Sequence, residues 1–258
     1  MRSSTSPRSR NSRLTASKPL IMDELKAAGV ILLATGRNRE RSRFSIAHEL
    51  GHFLIPSHRP QADEPFKCSL EHLHLLDARS RDRRRRIEAE ANRFAAHLLM
   101  PPARIQSAIS RRSPASLQGL IAAAREFRVS KEAMARAFVE ASRDPVAVII
   151  VHHGRAVRRY RSEVFPWLPG QNGEDLPAGS LASHSLPPVG TYSPTEPVKA
   201  DVWLTQRDAD RTLCLTEQVL GQSNGSALIL LQAGRDVRQR LLSAHAVAEP
   251  CRFLERVG

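Results

Sequence analysis

The segment RFSIAHELGHFLIPSH, residues 43–58, constrains the fold most, because it places two histidines four residues apart on a predicted helix. Apolar residues recur at helical spacing from Arg43 to Ile55, and Pro56 ends the pattern. Four residues of α-helix turn the chain by roughly 400°, so His48 and His52 point within about 40° of each other. The two imidazoles can therefore bind one cation.

Glu49 follows the first of these histidines and is turned from it by about 100° around the helix. A carboxylate at that position cannot easily ligate the same ion, but it can take a proton from a metal-bound water. His-Glu-x-x-His on a helix is typical of zinc hydrolases, whose zinc has three protein ligands and an open position for water. The segment therefore predicts a catalytic zinc site with Glu49 as its base, and requires a third protein ligand.

The third ligand has several candidates downstream, on a second predicted helix from Arg81 to Met100 and in the irregular connection before it. They are Glu88, Glu90, Cys68, His72 and His74. Glu88 shares one helical face with Asn92 and with small alanines that would let two helices approach closely, whereas Glu90 faces away by about 200°. Glu88 is therefore the preferred ligand, and Asn92, one turn further on, can hydrogen-bond a ligand histidine.

Two motifs together resemble the ImmA/IrrE-type metallopeptidases. They are RFSIAHELGHFL and E-x-x-A-N-x-F-A-x-x-L-L-M-P, the latter from Glu88 to Pro101, and the resemblance covers roughly residues 28–145. It implies zinc ligands at His48, His52 and Glu88 and a general base at Glu49. It also implies that the protein substrate is a helix-turn-helix transcriptional repressor, whose cleavage switches on stress or mobile-element genes.

The predicted fold class is α+β. Residues 1–18 form a basic tail that is expected to be disordered. Residues 19–110 are predicted to form a mainly helical, zincin-like metallopeptidase core with a small sheet. Within it, IMDELKAAGVILLATG indicates a short helix and then a buried strand from Val30 to Ala34. Residues 111–144 predict a helix-turn-helix-like segment, in which Ser130 caps the second helix.

Residues 145–258 predict a smaller, mainly antiparallel sheet domain, which the resemblance implies is GAF-like. VAVIIVHHGRAVRRYR indicates two strands joined by a turn at His153-Gly154. Further strands are predicted at Val198–Leu204, Leu213–Leu215 and Ala227–Leu231.

Composition limits the class of protein and its partners. The 258-residue chain lacks an apolar run long enough to span a membrane, and its three cysteines are odd in number and far apart, so neither membrane insertion nor a disulfide framework is expected. This favours the cytoplasm. The net charge of +13 favours acidic partners, which leaves DNA binding open. The alternative function is a non-catalytic regulatory protein that binds DNA or a repressor, with a structural metal site.

Overall fold

The computed structural model describes residues 18–22, 28–31, 39–59, 66–68, 82–111, 115–212 and 214–234; for 18–22 and 66–68 it gives the backbone alone. The chain divides into two compact units, residues 1–99 and 100–258. Within the described ranges both helices and strands are present, so the α+β class is confirmed. The predicted tail lies outside these ranges except for Lys18, and the four-part domain organisation stays a prediction.

The first unit contains a three-stranded antiparallel sheet of order β2-β1-β3. Its strands are β1 (Lys18–Met22), β2 (Gly29–Ile31) and β3 (Phe66–Cys68). The helix predicted to begin at Ile21 is wrong at its start, because Ile21 and Met22 belong to β1 and pair with Val30 and Gly29. The prediction that Val30 is buried is also wrong: β2 is an outer strand of this sheet, and Val30 is 57% exposed.

Two helices complete the described part of the first unit, α1 (Arg39–Leu54) and α2 (Arg83–Leu99). Both were predicted, with slightly different ends. Gly51 allows them to pack closely, since a Cβ there would lie 3.0 Å from Phe94 Cδ1 and 3.3 Å from Ala91 Cα. The apolar pattern of these helices also includes residues outside their buried faces, since Leu54 and Leu98 are 52% and 50% exposed.

The second unit begins with α3 (Pro102–Ser110), α4 (Leu117–Phe127) and α5 (Lys131–Ala141). The predicted cap of α5 is confirmed, since the Ser130 hydroxyl accepts a hydrogen bond from the Ala133 amide at 3.1 Å. Helix α3 was not predicted, because Pro101-Pro102 was interpreted only as the end of the preceding helix. Proline is also favoured at the first position of a helix, where its missing N–H costs nothing, and Pro102 occupies that position.

A six-stranded antiparallel sheet of order β6-β5-β4-β9-β8-β7 follows. Its strands are β4 (Val146–His152), β5 (Arg155–Arg161), β6 (Glu174–Asp175), β7 (Glu196–Val198), β8 (Leu215–Gly221) and β9 (Ser226–Ala233). The predicted hairpin is confirmed. His153 and Gly154 both have positive φ, 48° and 74°, as a tight two-residue hairpin turn requires.

Two strand predictions in this sheet need correction. The strand predicted over Val198–Leu204 ends at Val198, and a 3-10 turn over Ala200–Val202 follows. This turn brings Trp203 into the core, where its indole donates to buried Glu217. The strand predicted at Leu213–Leu215 instead begins at Leu215 and continues to Gly221 as β8. This extension was not predicted, because buried polar residues in β8 interrupt the apolar run. Two short helices, α6 (Leu181–His184) and α7 (Gln206–Ala209), lie between the strands.

Helices α4 and α5 pack on the sheet through side-chain hydrogen bonds. The Leu117 amide donates to Gln218 Oε1 at 3.0 Å, and the Tyr160 hydroxyl donates to Glu132 Oε1 at 2.9 Å. The helix-turn-helix-like segment therefore contributes part of its surface to the packing of the second unit.

Two expectations about the whole chain concerned membrane-spanning helices and disulfide bonds. None of the described helices has the length and apolar character needed to cross a membrane. Cys214, which precedes β8, is disulfide-bonded, a bond that the cysteine spacing did not predict. Cysteines far apart in sequence can meet in a fold, and a disulfide can form when their Cα atoms approach within about 7 Å and their Cβ atoms point towards each other.

Candidate metal centre

Three side chains from α1 and α2 converge where the two helices pack. Nε2 of His48 lies 3.1 Å from Nε2 of His52. Glu88 places Oε2 3.3 Å from Nε2 of His48, and Oε1 3.8 Å from Nε2 of His52. The three residues are 0–3% exposed. The structure thus brings together the two helical histidines and the preferred glutamate.

The distances within this triad fit a metal ion. Zinc binds histidine nitrogen and carboxylate oxygen at about 2.0–2.2 Å, so the ligand atoms of a tetrahedral site lie roughly 3.3 Å apart. The observed separations of 3.1, 3.3 and 3.8 Å bracket that value. In the part of the chain that the structure describes, His48, His52 and Glu88 are the group whose donor atoms could hold a metal. Three protein donors leave a position for a water or a substrate oxygen.

Asn92 orients the first histidine. Its amide oxygen lies 2.8 Å from Nδ1 of His48, and Asn92 is buried. Because an amide oxygen only accepts, the proton of the imidazole is assigned to Nδ1, which leaves the Nε2 lone pair directed at the triad. This is the interaction predicted for Asn92 from its helical position.

His58 and Glu90 lie on the other side of the triad; the sequence assigned no role to His58, and Glu90 was considered only as a less favoured metal ligand. Nδ1 of His52 is 3.1 Å from Nδ1 of His58, and Nε2 of His58 is 2.8 Å from Glu90 Oε2. After α1 the chain turns through Pro56, and the His58 amide donates to the Ile55 carbonyl at 3.1 Å, which brings His58 back beside the helix. The available signal was a third histidine six residues beyond His52.

Electrostatics favour the unprotonated ligands. Burial raises the pKa of the Glu88 carboxyl, but the close contacts with the His48 and His52 imidazoles outweigh burial and hold this pKa well below its usual range. Burial is the largest cause of the lowered pKa of His52, and the contact with Glu88 only partly offsets it. Carboxylate and neutral imidazole are the forms that bind metal.

The remaining candidates are placed as follows. Glu49 is 1% exposed on α1, between the two histidines in sequence. Cys68 lies in β3, where only the backbone is described, and His72 and His74 lie outside the described residues.

A histidine pair and a glutamate on two packed helices define a candidate metal centre of the metallopeptidase kind. The family model described as the IrrE N-terminal-like domain, peptidase M78, matches residues 7–138, just over half of the chain. The chain belongs to this family, which confirms the resemblance noted from its motifs. The match includes α1 and α2 with all three triad residues, and it ends before β4. A search of curated proteins found no matching relative.

Proposed function

We propose that this protein is a zinc-dependent endopeptidase. The observation that carries the proposal is the convergence of the Nε2 atoms of His48 and His52 with the carboxylate of Glu88, in a chain of the M78 peptidase family. Zinc is the metal best suited to two imidazoles and one carboxylate that leave an open position.

Each residue of the centre has a role in the proposed mechanism. His48, His52 and Glu88 would hold zinc, which when bound supplies Lewis-acid polarisation of the peptide carbonyl and lowers the pKa of water. Asn92 keeps Nε2 of His48 free of its proton. Glu49 accepts, at a carboxylate oxygen, the proton of the water that attacks the carbonyl carbon, and returns a proton to the leaving amine.

The proposed substrate is a helix-turn-helix transcriptional repressor, and cleavage would derepress stress or mobile-element genes. Family membership and the paired motifs support this proposal, as they do the proposed location in the cytoplasm. We further propose that residues 19–110 form the peptidase core, 111–144 the helix-turn-helix-like segment and 145–258 a GAF-like domain. An antiparallel sheet with α4 and α5 packed on it supports the last of these.

The second candidate is a non-catalytic regulator that binds DNA or a repressor and keeps a structural metal. The net charge of +13 favours this reading, since it attracts nucleic acid. The basic residues of α5 are partly engaged within the protein, however. Arg136 pairs with Glu140 at 2.6 Å, and Lys131 donates to Gln222 at 3.1 Å.

The deciding experiment compares the zinc-loaded chain with its Glu49→Gln variant in lysate of the source cell, and maps new protein N-termini by mass spectrometry. The peptidase proposal expects new termini only with the unaltered chain, while both proteins hold one zinc. The control variant is Glu163→Gln, which changes an exposed glutamate in the second unit and should cleave normally. Identical termini with and without Glu49, or a regulatory effect that survives Glu49→Gln, would favour the non-catalytic regulator.

A further inference from the structure

We propose that His58 and Glu90 are positioning residues that fix the proton and the ring orientation of His52, so that its Nε2 lone pair faces the metal. The inference rests on the proposed metal site and extends it to two residues on the side of His52 away from the triad. The hydrogen-bonded row runs from Glu90 Oε2 to Nε2 of His58, then from Nδ1 of His58 to Nδ1 of His52.

The geometry of this row is that of a built site. His58 is completely buried, and its ring centroid lies 5.1 Å from that of His52 with an interplanar angle of 47°. A buried imidazole needs partners for its polar nitrogens, and both nitrogens of His58 have one in this row. Glu90 comes from α2 and His58 from the turn after α1, so the row links the elements that carry the ligands.

Proton accounting allows only one direction along the row when His52 ligates through Nε2. A neutral imidazole carries one N–H, so a ligating Nε2 places the proton of His52 on Nδ1. That N–H donates to Nδ1 of His58, which must then be an acceptor. The proton of His58 is therefore on Nε2, where it donates to the Glu90 carboxylate, a group that only accepts when ionised.

The two ligand histidines are consequently held by different chemistry. His48 donates to a neutral amide oxygen of Asn92, whereas His52 is connected through His58 to a charged carboxylate. A hydrogen bond to an ionised group is stronger than one to a neutral group, so Glu90 anchors the row and increases electron donation from His52. The glutamate that faced away from the triad on a helical wheel thus acts on it through His58.

The test measures zinc affinity of the full chain by competition with a chromophoric chelator, together with the unfolding midpoint of the metal-free protein. Glu90→Ala is expected to weaken zinc binding by roughly 10- to 100-fold, the usual effect of removing a partner of a ligand histidine. Glu90→Gln keeps an acceptor oxygen but not the charge, and should restore part of the affinity. His58→Ala should weaken binding at least as much as Glu90→Ala, and His97→Ala, an exposed histidine on α2, should leave it unchanged.

The decisive variant is Glu90→Ala, because the Glu90 side chain is 41% exposed and its removal opens no buried cavity. Zinc affinity within twofold of the unaltered chain would overturn the inference, even if His58→Ala unfolds. Zinc binding lost in Glu88→Ala but kept in Glu90→Ala would leave the metal centre in place and overturn the positioning role alone. An unaltered chain that binds no zinc would contradict both.

Discussion

The two units of this protein bury different kinds of side chain. The contact between α1 and α2 in the first unit buries His48, Glu49, His52, Glu88 and Asn92. The second unit buries a continuous apolar cluster on its sheet, and its buried carboxylate, Glu217, is matched by donors from Ser180 and Trp203. Apolar burial stabilises a fold directly, whereas buried polar groups cost free energy unless they are paired or bind a metal. The first unit should therefore depend on the proposed metal and the second should not.

Metal removal should produce the largest difference between the units. A ligand that binds only the folded state at 1,000 times its Kd stabilises that state by about 4 kcal/mol. Chelation should thus increase amide hydrogen exchange in α1 and α2 and leave β4 and β9 protected, as followed by mass spectrometry on the full chain. Equal loss of protection in both units would mean that they do not differ in this way.

Ile229→Ala should produce the reverse pattern. Ile229 is fully buried in the apolar cluster, and removing such a side chain costs about 3 kcal/mol through lost burial and a residual cavity. Chemical unfolding should show this loss in the second unit while zinc affinity stays within twofold. Val189→Ala is the control, because Val189 is 70% exposed and the change should be nearly neutral. A tenfold loss of zinc affinity in Ile229→Ala would show that metal binding depends on the core of the second unit, contrary to this comparison.

Gly51→Ala tests the close approach of α1 and α2. The added methyl group would lie 3.0 Å from Phe94 Cδ1, and overpacking of this kind costs about 1–3 kcal/mol, partly offset by the better helix propensity of alanine. We expect a net loss near 1 kcal/mol in thermal unfolding and weaker zinc binding, since Glu88 moves away from the histidines. Leu54→Ala, at an exposed position of the same helix, should change neither quantity. Unchanged zinc affinity in Gly51→Ala would show that the helix spacing is not critical.

Tyr160→Phe should have the smallest effect, about 1 kcal/mol from the lost hydrogen bond to Glu132. Burial, then the negative charge of Glu132, raises the pKa of Tyr160 above its ordinary value near 10. A raised pKa in the folded state means that this stability is present below about pH 10 and is lost as pH rises further. The free energy of unfolding, measured with urea from pH 8 to 11, should thus fall less steeply for Tyr160→Phe than for the unaltered chain. If the unfolding free energies of both proteins fall in parallel with pH, the Tyr160 hydroxyl does not contribute this stability.

The sequence predicted the local parts of the site well, because helical geometry fixes them. His48, His52 and Glu88 lie on two helices whose periodicity was readable, and one turn of helix places Asn92 beside Glu88. His58 could not be placed in the same way, since its position depends on how the chain turns after Pro56 and on which α2 side chain it meets.

The predicted strands failed where burial and polarity disagreed. β8 buries Glu217 and Gln218, which no apolar pattern identifies, and their partners come from distant parts of the second unit. The predicted burial of Val30 was wrong for the opposite reason: this apolar residue lies on an outer strand and is exposed despite its hydrophobicity. In both strands, burial depends on contacts with residues distant in sequence, which the local pattern does not show.

The most direct test of the metal centre is X-ray absorption at the zinc K-edge on the zinc-loaded full chain. Two histidine nitrogens near 2.0–2.1 Å and oxygen neighbours at about 2.0–2.2 Å, from Glu88 and water, are the predicted shell, and Glu88→Ala should lose the carboxylate contribution. A sulfur neighbour at about 2.3 Å, or a shell unchanged by Glu88→Ala, would place the metal elsewhere and contradict the account.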